Sequence, residues 1–257
     1  MTAHSEYHTL VSPATTTTRK GKVLMVHGWA QNAFVFRQKT KGLTNKLNKA
    51  GYDCVFLEGP HLLPLASTVQ IDGVDVQVEN GKRENARAWF LLSETDPADA
   101  SESQSGRPLT YFGLNDALDR VQHQLEQEES FVALMGFSQG GVFAHILSRL
   151  ADAGHPPFKK IRATILASAF AAQHVDESPS RPFSHIIAKM PDRETILLPS
   201  LHIIGKNDTS VRPALSEDLS VLFDNRQFLY HEKGHILPQT SAACQTMVGF
   251  LDQVLDS

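Results

Sequence analysis

Short apolar runs alternate with helix-like stretches along most of this 257-residue chain, and that alternation constrains the fold more than any other feature. The runs are continuously apolar, which is typical of strands buried on both faces of a sheet. Strands separated by helices predict an α/β fold with a mostly parallel central sheet and helices on both faces. We predict strands at 22–26, 52–57, 131–135, 161–167, 200–204 and 226–230, and helices at 38–50, 114–128, 141–151 and 242–255.

Two stretches stand outside this alternation. Residues 1–20 are rich in Ser and Thr and poor in apolar side chains, which predicts a disordered N-terminal lead. Residues 61–112 are too long and too mixed for an ordinary connection. There we predict an insertion, part hairpin and part loop, that lies near the active site as a cap or pocket wall. The length of the chain favours one large domain, so residues 21–257 are expected to form a single α/β domain.

Composition and charge argue against several classes of partner. The formal net charge is −4 at pH 7 and no basic stripe occurs, so neither nucleic acid nor an anionic membrane is expected to bind. No apolar run approaches the ~18 residues that a membrane span needs. Cys54 and Cys244 lie far apart and in no CxxC pattern, which is typical of reduced thiols in a cytoplasmic protein. The sequence shows no spacing typical of a metal site, so no metal is expected.

The segment Gly136-Phe137-Ser138-Gln139-Gly140 follows an apolar run and precedes a helix-like stretch. A GxSxG in this context is typical of a sharp strand-to-helix turn that exposes a nucleophilic serine. The flanking glycines remove the side chains that would clash in such a turn. The pattern therefore predicts Ser138 as a nucleophile, and the alternative is an ordinary serine in a tight turn.

A serine nucleophile needs a base and an acid that orients this base, and both are expected later in the chain, the acid first. His235 lies in a loop after the last predicted strand and is the expected base, with His231, four residues earlier, as the alternative. Asp208 lies a few residues beyond an apolar run, in a Gly/Asn loop, and is the expected acid. The alternative is that Asp208 is only a turn residue, because Asp is common in turns.

An acyl-transfer site also needs two backbone N–H groups directed at the developing negative charge. Gln139, directly after the predicted nucleophile, is expected to supply one of them. Trp29, in the loop after the first strand, is expected to supply the other, since Gly28 lets the backbone approach closely. His27 in the same loop is expected to be structural and to bond to neighbouring loops.

Four short motifs are spread over the chain, namely HGWAQN at 27–32, RAWF at 87–90, GFSQGG at 136–141 and GHILP at 234–238. Together they resemble the FSH family of serine hydrolases, and the resemblance extends over residues 20–255. It implies an α/β-hydrolase fold, a triad at Ser138, Asp208 and His235, esterase or thioesterase action on acyl chains, and no cofactor. The acidic, Ser-rich stretch at 96–106 departs from smaller relatives, so the resemblance does not define the acyl group.

Aromatic residues near the predicted site bear on the substrate. Phe34 follows the loop after the first strand, and Trp89 and Phe90 lie in the insertion, so we expect them to line an apolar acyl pocket, with core packing as the alternative. We expect a serine esterase or thioesterase that cleaves small to medium acyl groups from small-molecule esters or thioesters through an acyl-serine intermediate. The alternatives are a lysophospholipid hydrolase and a hydrolase-fold protein that binds a ligand or partner without catalysis.

Overall fold

The computed structural model describes residues 19–64, 68–71, 74–77, 84–94, 109–172 and 195–256. Six of its strands form one sheet in which every neighbouring pair is parallel. The strands are, in chain order, β1 (Gly21–Val26), β2 (Tyr52–Leu57), β3 (His61–Leu62), β4 (Thr68–Ile71), β5 (Val74–Gln77), β6 (Arg87–Ala88), β7 (Leu91–Glu94), β8 (Leu109–Phe112), β9 (Phe131–Phe137), β10 (Ala163–Ala167), β11 (Ser200–Gly205) and β12 (Arg226–His231). Across the sheet the order is β12-β11-β10-β9-β1-β2.

Helices cover both faces of this sheet, and β1 shows why its sequence is continuously apolar. Val23 and Met25 belong to one core cluster, with residues of the first, second and last helices, and Leu24 and Val26 belong to another on the opposite face. All four side chains are fully buried. The predicted α/β fold is therefore confirmed. The helices are α1 (Ala33–Lys39), α2 (Lys41–Lys49), α3 (Leu114–Gln127), α4 (Gln139–Asp152), α5 (Pro213–Val221) and α6 (Ser241–Leu255).

The described parts of residues 61–112 form three small antiparallel ladders, in which β3 pairs with β6, β4 with β5, and β7 with β8. The backbone N–H of Arg87 donates to the carbonyl of Gln31 at 2.8 Å, so this segment returns beside the loop that follows β1. That loop lies at the carboxyl edge of the parallel sheet, where sites form in open α/β sheets. The single domain over residues 21–257 stays a prediction, and most of the predicted disordered lead, residues 1–18, lies outside the described residues.

Two helical features differ from the sequence pattern. The helical region predicted at 38–50 begins five residues earlier, with the first residue of α1, Ala33. The side-chain oxygen of Asn32 accepts the N–H of Val35 at 2.8 Å and so caps the first turn. It is then divided at Thr40, whose hydroxyl donates to the carbonyl of Phe36 at 2.8 Å. The pattern does not predict α5, since this short segment carries little apolar periodicity.

Candidate active site

Ser138 occupies the turn between β9 and α4, with φ 54° and ψ −123°. A non-glycine residue in this region stores strain of about 1–3 kcal/mol, which the surrounding structure must offset. Its N–H donates to the carbonyl of Ala167 at 2.9 Å, which ties the turn to the end of β10. A Cβ at Gly136 would collide with the backbone of Gly140, and one at Gly140 would collide with the carbonyl of Val26. The glycines of GxSxG are therefore required by close backbone contact.

Three side chains that follow different strands are joined by hydrogen bonds at this turn. Nε2 of His235 lies 2.9 Å from Oγ of Ser138, and Nδ1 of His235 lies 2.7 Å from Oδ2 of Asp208. Because the ionised Asp208 accepts the Nδ1 proton, Nε2 is left as an acceptor for the serine hydroxyl. The structure therefore brings together the three residues that the sequence analysis predicts as acid, base and nucleophile.

The carboxyl group of Asp208 is held in its ionised form. Burial alone would raise its pKa, but the backbone N–H of Val211 and the hydrogen bond and charge of His235 outweigh it, and the net pKa lies below the ordinary value. Ser210 and Val211 both donate to Oδ1 at 2.9 Å, and His235 takes Oδ2. The Asp208 side chain is 1% exposed, so it contacts the histidine ring rather than water.

The alternative base, His231, lies at the end of β12, and among the described residues no hydrogen bond joins it to Ser138. Its Nδ1 accepts the backbone N–H of Lys233 at 3.3 Å, and burial is the leading cause of its lowered pKa. The ring of His235 lies over Phe137 instead, with the centroids 4.9 Å apart. The geometry therefore favours His235 over His231 as the partner of Ser138.

The two predicted oxyanion donors flank the same turn. Gln139 is the first residue of α4, where backbone N–H groups have no acceptor within the helix. Trp29 lies in the loop after β1 and lines the cavity that contains Ser138. A Cβ on Gly28 would lie 3.3 Å from Cβ of Ser138, so this loop passes against the nucleophile. The two donor peptides thus come from neighbouring loops at one edge of the sheet.

His27 has the structural position that the sequence analysis predicts for it. Its Nε2 accepts the N–H of Gly59 at 2.9 Å, so the ring proton is on Nδ1, which donates to the carbonyl of Gly28 at 2.9 Å. Burial lowers the pKa of His27 to about 4, so the ring is neutral at pH 7. The indole Nε1 of Trp89 donates to the His27 carbonyl at 2.8 Å and so ties the loop after β1 to the RAWF segment.

The expectation that Phe34, Trp89 and Phe90 line an acyl pocket is corrected by their positions. Trp89 and Phe90 are fully buried in the core cluster, and Phe34 is 68% exposed; none of the three lines the cavity beside Ser138. Trp89 stacks on Phe143 with the ring centroids 5.0 Å apart. Two hydrogen bonds hold the backbone of Trp89 and Phe90 against the start of α4. The N–H of Trp89 donates to the Gln139 side chain at 3.0 Å, and that side chain donates to the Phe90 carbonyl at 2.7 Å.

A cavity of about 790 Å³ opens beside Ser138 and His235. Its walls come mainly from the loop after β1, from α1 and from the segment after β12. Several of these residues were not predicted as site residues; most lie in or close to the HGWAQN and GHILP motifs, and Ser210 lies two residues after Asp208. The cavity is lined by Gly28, Trp29, Ala30, Gln31, Phe36, Lys39, Thr40, Phe137, Ser138, Ser210, His235, Ile236 and Leu237.

Among the residues that the structure describes, no group of three or more His, Cys, Asp or Glu side chains could hold a metal ion. Within the same part of the chain, no helix combines the length and the apolar character that crossing a membrane requires.

Residues 16–247 match the family model described as Serine hydrolase (FSH1). The chain belongs to this family. A relative from Mus musculus named Esterase OVCA2 is 31% identical over 232 residues, which cover 90% of this chain and 96% of the relative. The FSH1-family chain is also similar to the Saccharomyces cerevisiae protein named Family of serine hydrolases 2, at 28% identity over 241 residues covering 90% and 98% of the two chains.

Solved structures share the fold of this FSH1-family chain at low sequence identity. Acyl-protein thioesterase 2 from Zea mays matches with a TM-score of 0.59 at 16% identity, over 95% of this chain and 97% of that one. The carboxylesterase from Bacillus cereus matches with a TM-score of 0.52 at 14% identity, over 94% and 90%. The fold is the α/β-hydrolase fold, and the family membership makes the chain a serine hydrolase.

Proposed function

We propose that this serine hydrolase cleaves carboxylic esters or thioesters of small to medium acyl groups through an acyl-Ser138 intermediate. The observation that carries the proposal is the continuous hydrogen-bonded chain from Ser138 through His235 to Asp208, with distances of 2.9 and 2.7 Å. Both distances are within the reach that general base catalysis requires. The names of the relatives, esterases and serine hydrolases, support the same chemistry.

In the first half of the reaction, Nε2 of His235 accepts the Ser138 proton while Oγ forms a bond to the carbonyl carbon of the substrate. The carbonyl π electrons move to its oxygen, and the N–H groups of Trp29 and Gln139 donate to this oxyanion. When the intermediate collapses, the C–O or C–S bond breaks. The His235 proton then goes to the departing alcohol or thiol.

In the second half, water replaces the leaving group. His235 accepts a proton from that water as its oxygen attacks the acyl carbon. When the second intermediate collapses, the bond between the acyl carbon and Oγ breaks, His235 returns the proton to Oγ of Ser138, and the carboxylic acid is released. Asp208 stays ionised throughout and stabilises the imidazolium form, since its pKa is lowered. The volume of the cavity, about 790 Å³, lies in the usual range for a small-molecule site and supports a small to medium acyl group.

The test is Ser138→Ala, assayed on p-nitrophenyl esters and acyl thioesters and with a fluorophosphonate probe. We expect turnover to fall at least about 10⁴-fold and labelling to vanish, because the alanine has no nucleophilic oxygen. Ser130→Ala, at an exposed serine away from the cavity, is the matched control and should keep both signals. Labelling that persists in Ser138→Ala would remove Ser138 as nucleophile. A wild-type protein without turnover of any ester or thioester would favour a non-catalytic binding protein.

A further inference from the structure

Trp89 is hydrogen-bonded to both of the segments that carry the proposed oxyanion donors. Its backbone N–H donates to Oε1 of Gln139 at 3.0 Å, and its indole Nε1 donates to the carbonyl of His27 at 2.8 Å. Nε2 of Gln139 also donates to the carbonyl of Phe90 at 2.7 Å. Gln139 begins α4 and is one proposed donor, and His27 lies two residues before the other, Trp29. A single residue of the RAWF segment therefore bridges the two segments.

The imidazole of His27 continues this chain of hydrogen bonds to the Trp29 peptide. Nδ1 of His27 donates to the carbonyl of Gly28 at 2.9 Å, and the same carbonyl accepts the N–H of Gln31 at 3.2 Å. The carbonyl of Gly28 and the N–H of Trp29 belong to one planar trans peptide and point in opposite directions across it. The two bonds that hold the carbonyl therefore also fix the direction of the Trp29 N–H.

The bonds of this chain are shielded from water and join segments that touch. Trp89 and His27 are fully buried and Gln139 is 8% exposed, so each bond acts in a medium of low dielectric constant, where it is stronger than in water. The Trp89 ring stacks on Phe143, which holds the indole in place. A Cβ on Gly140 would collide with the His27 carbonyl, so this carbonyl lies against the first turn of α4. A small displacement of Trp89 would therefore change the separation of the two donor peptides.

We propose that Trp89 is a positioning residue for the reaction, which holds the two oxyanion donors at a fixed separation through its bonds to Gln139 and His27. This inference rests on the proposed hydrolase function and gives the RAWF segment a role in the chemical step. Trp89 acts through other residues, since it is buried in the core and does not line the cavity beside Ser138. Donors that are placed in advance stabilise the developing oxyanion without reorganisation. A displaced donor should therefore slow the chemical step and leave substrate binding nearly unchanged.

The test is Trp89→Phe, which removes the indole N–H and keeps an aromatic ring at this position. We expect kcat on p-nitrophenyl butanoate to fall by about 10- to 100-fold, less than the loss of a whole donor causes, while KM stays within about threefold. The pH profile of kcat/KM should keep its wild-type shape, because the triad is unchanged. A butyl trifluoromethyl ketone, which forms an oxyanionic adduct with Ser138, should bind about 10- to 100-fold more weakly, in step with kcat.

Phe131→Leu is the matched control for a general loss of stability. Phe131 is a buried aromatic residue of the same core cluster, but it begins β9 and so lies at the amino edge of the sheet, away from Ser138. This variant should be less stable than the wild type and keep kcat within about threefold.

Gln139→Leu breaks the same chain of hydrogen bonds at another point, and it serves as the test if Trp89→Phe does not fold. It should lower kcat by a similar factor, and the double variant should lose little more than either single variant, because both changes break one chain. A fall in kcat no larger than that of Phe131→Leu would overturn the proposal, as would losses that multiply in the double variant. The proposed hydrolase function is tested separately, by Ser138→Ala.

Discussion

Replacing Gln139 with leucine removes a side-chain amide that joins α4 to the RAWF segment, while the size of the side chain is nearly kept. The amide accepts the N–H of Trp89 at 3.0 Å and donates to the carbonyl of Phe90 at 2.7 Å. Trp89 is fully buried, so its N–H cannot turn to water, and leaving it unpaired costs about 1–3 kcal/mol. The lost bond to Phe90 adds about 1 kcal/mol. We therefore expect the free energy of unfolding to fall by about 2–4 kcal/mol.

Urea unfolding at pH 7, followed by tryptophan fluorescence, measures this difference directly. Gln122→Leu is the matched control, because Gln122 is exposed on α3 and its amide bonds to the side chain of Glu126 at the surface. That control should change the free energy of unfolding by no more than about 0.5 kcal/mol. If Gln139→Leu also stayed within about 0.5 kcal/mol of the wild type, the Gln139 amide would not be what stabilises the RAWF segment.

Two further predictions follow from the electrostatics. Asp208→Asn should lower kcat about 10⁴-fold at pH 7, because an amide that donates to Nδ1 of His235 favours the wrong tautomer; steady-state kinetics tests this, and a loss below about tenfold would contradict it. Burial lowers the pKa of His27 and His202 from 6.5 to about 4, so the unfolded chain takes up protons first as the pH falls. The free energy of unfolding is therefore unaffected by these two histidines above about pH 6.5 and falls as the pH drops towards about 4. At pH 5 each histidine should have lowered it by about 2 kcal/mol. Urea unfolding at pH 7 and pH 5 should show this loss, and His202→Gln should show a smaller one; equal stability of the wild type at both pH values would contradict the account.

The strands that lead to the candidate site could be predicted because both of their faces are buried. In β9 and β11 almost every residue is buried, so the runs before Ser138 and Asp208 are mainly apolar, with Ser200 and His202 as the polar residues of β11. The polar loop that follows such a run in a parallel sheet must lie at the carboxyl edge. His235 follows β12, whose half-exposed and exposed side chains give a weaker apolar pattern. His235 was predicted instead from the order nucleophile, acid and base along the chain.

The positions of Trp89 and Phe90 could not be predicted in the same way. Their bonds to the Gln139 side chain join residues 49 and 50 positions apart, and no local periodicity encodes a contact of that range. An aromatic pair near a site has the same composition whether it lines a cavity or packs in the core. The burial of Gln31 could not be predicted either, because its backbone bonds to Gly28 and to Arg87, and Arg87 lies 56 positions further along the chain.

The parallel pairing of β1 with β9 places Val26 opposite Gly136. Each residue advances a strand by about 3.3 Å, so a deletion within β1 would carry the Trp29 peptide about one hydrogen-bond length away from the serine while leaving every site residue in the sequence. The spacing of the two proposed oxyanion donors therefore depends on strand length and pairing as much as on residue identity. A transplanted or engineered version of this site would therefore have to keep the β1–β9 pair, with its register, as a unit.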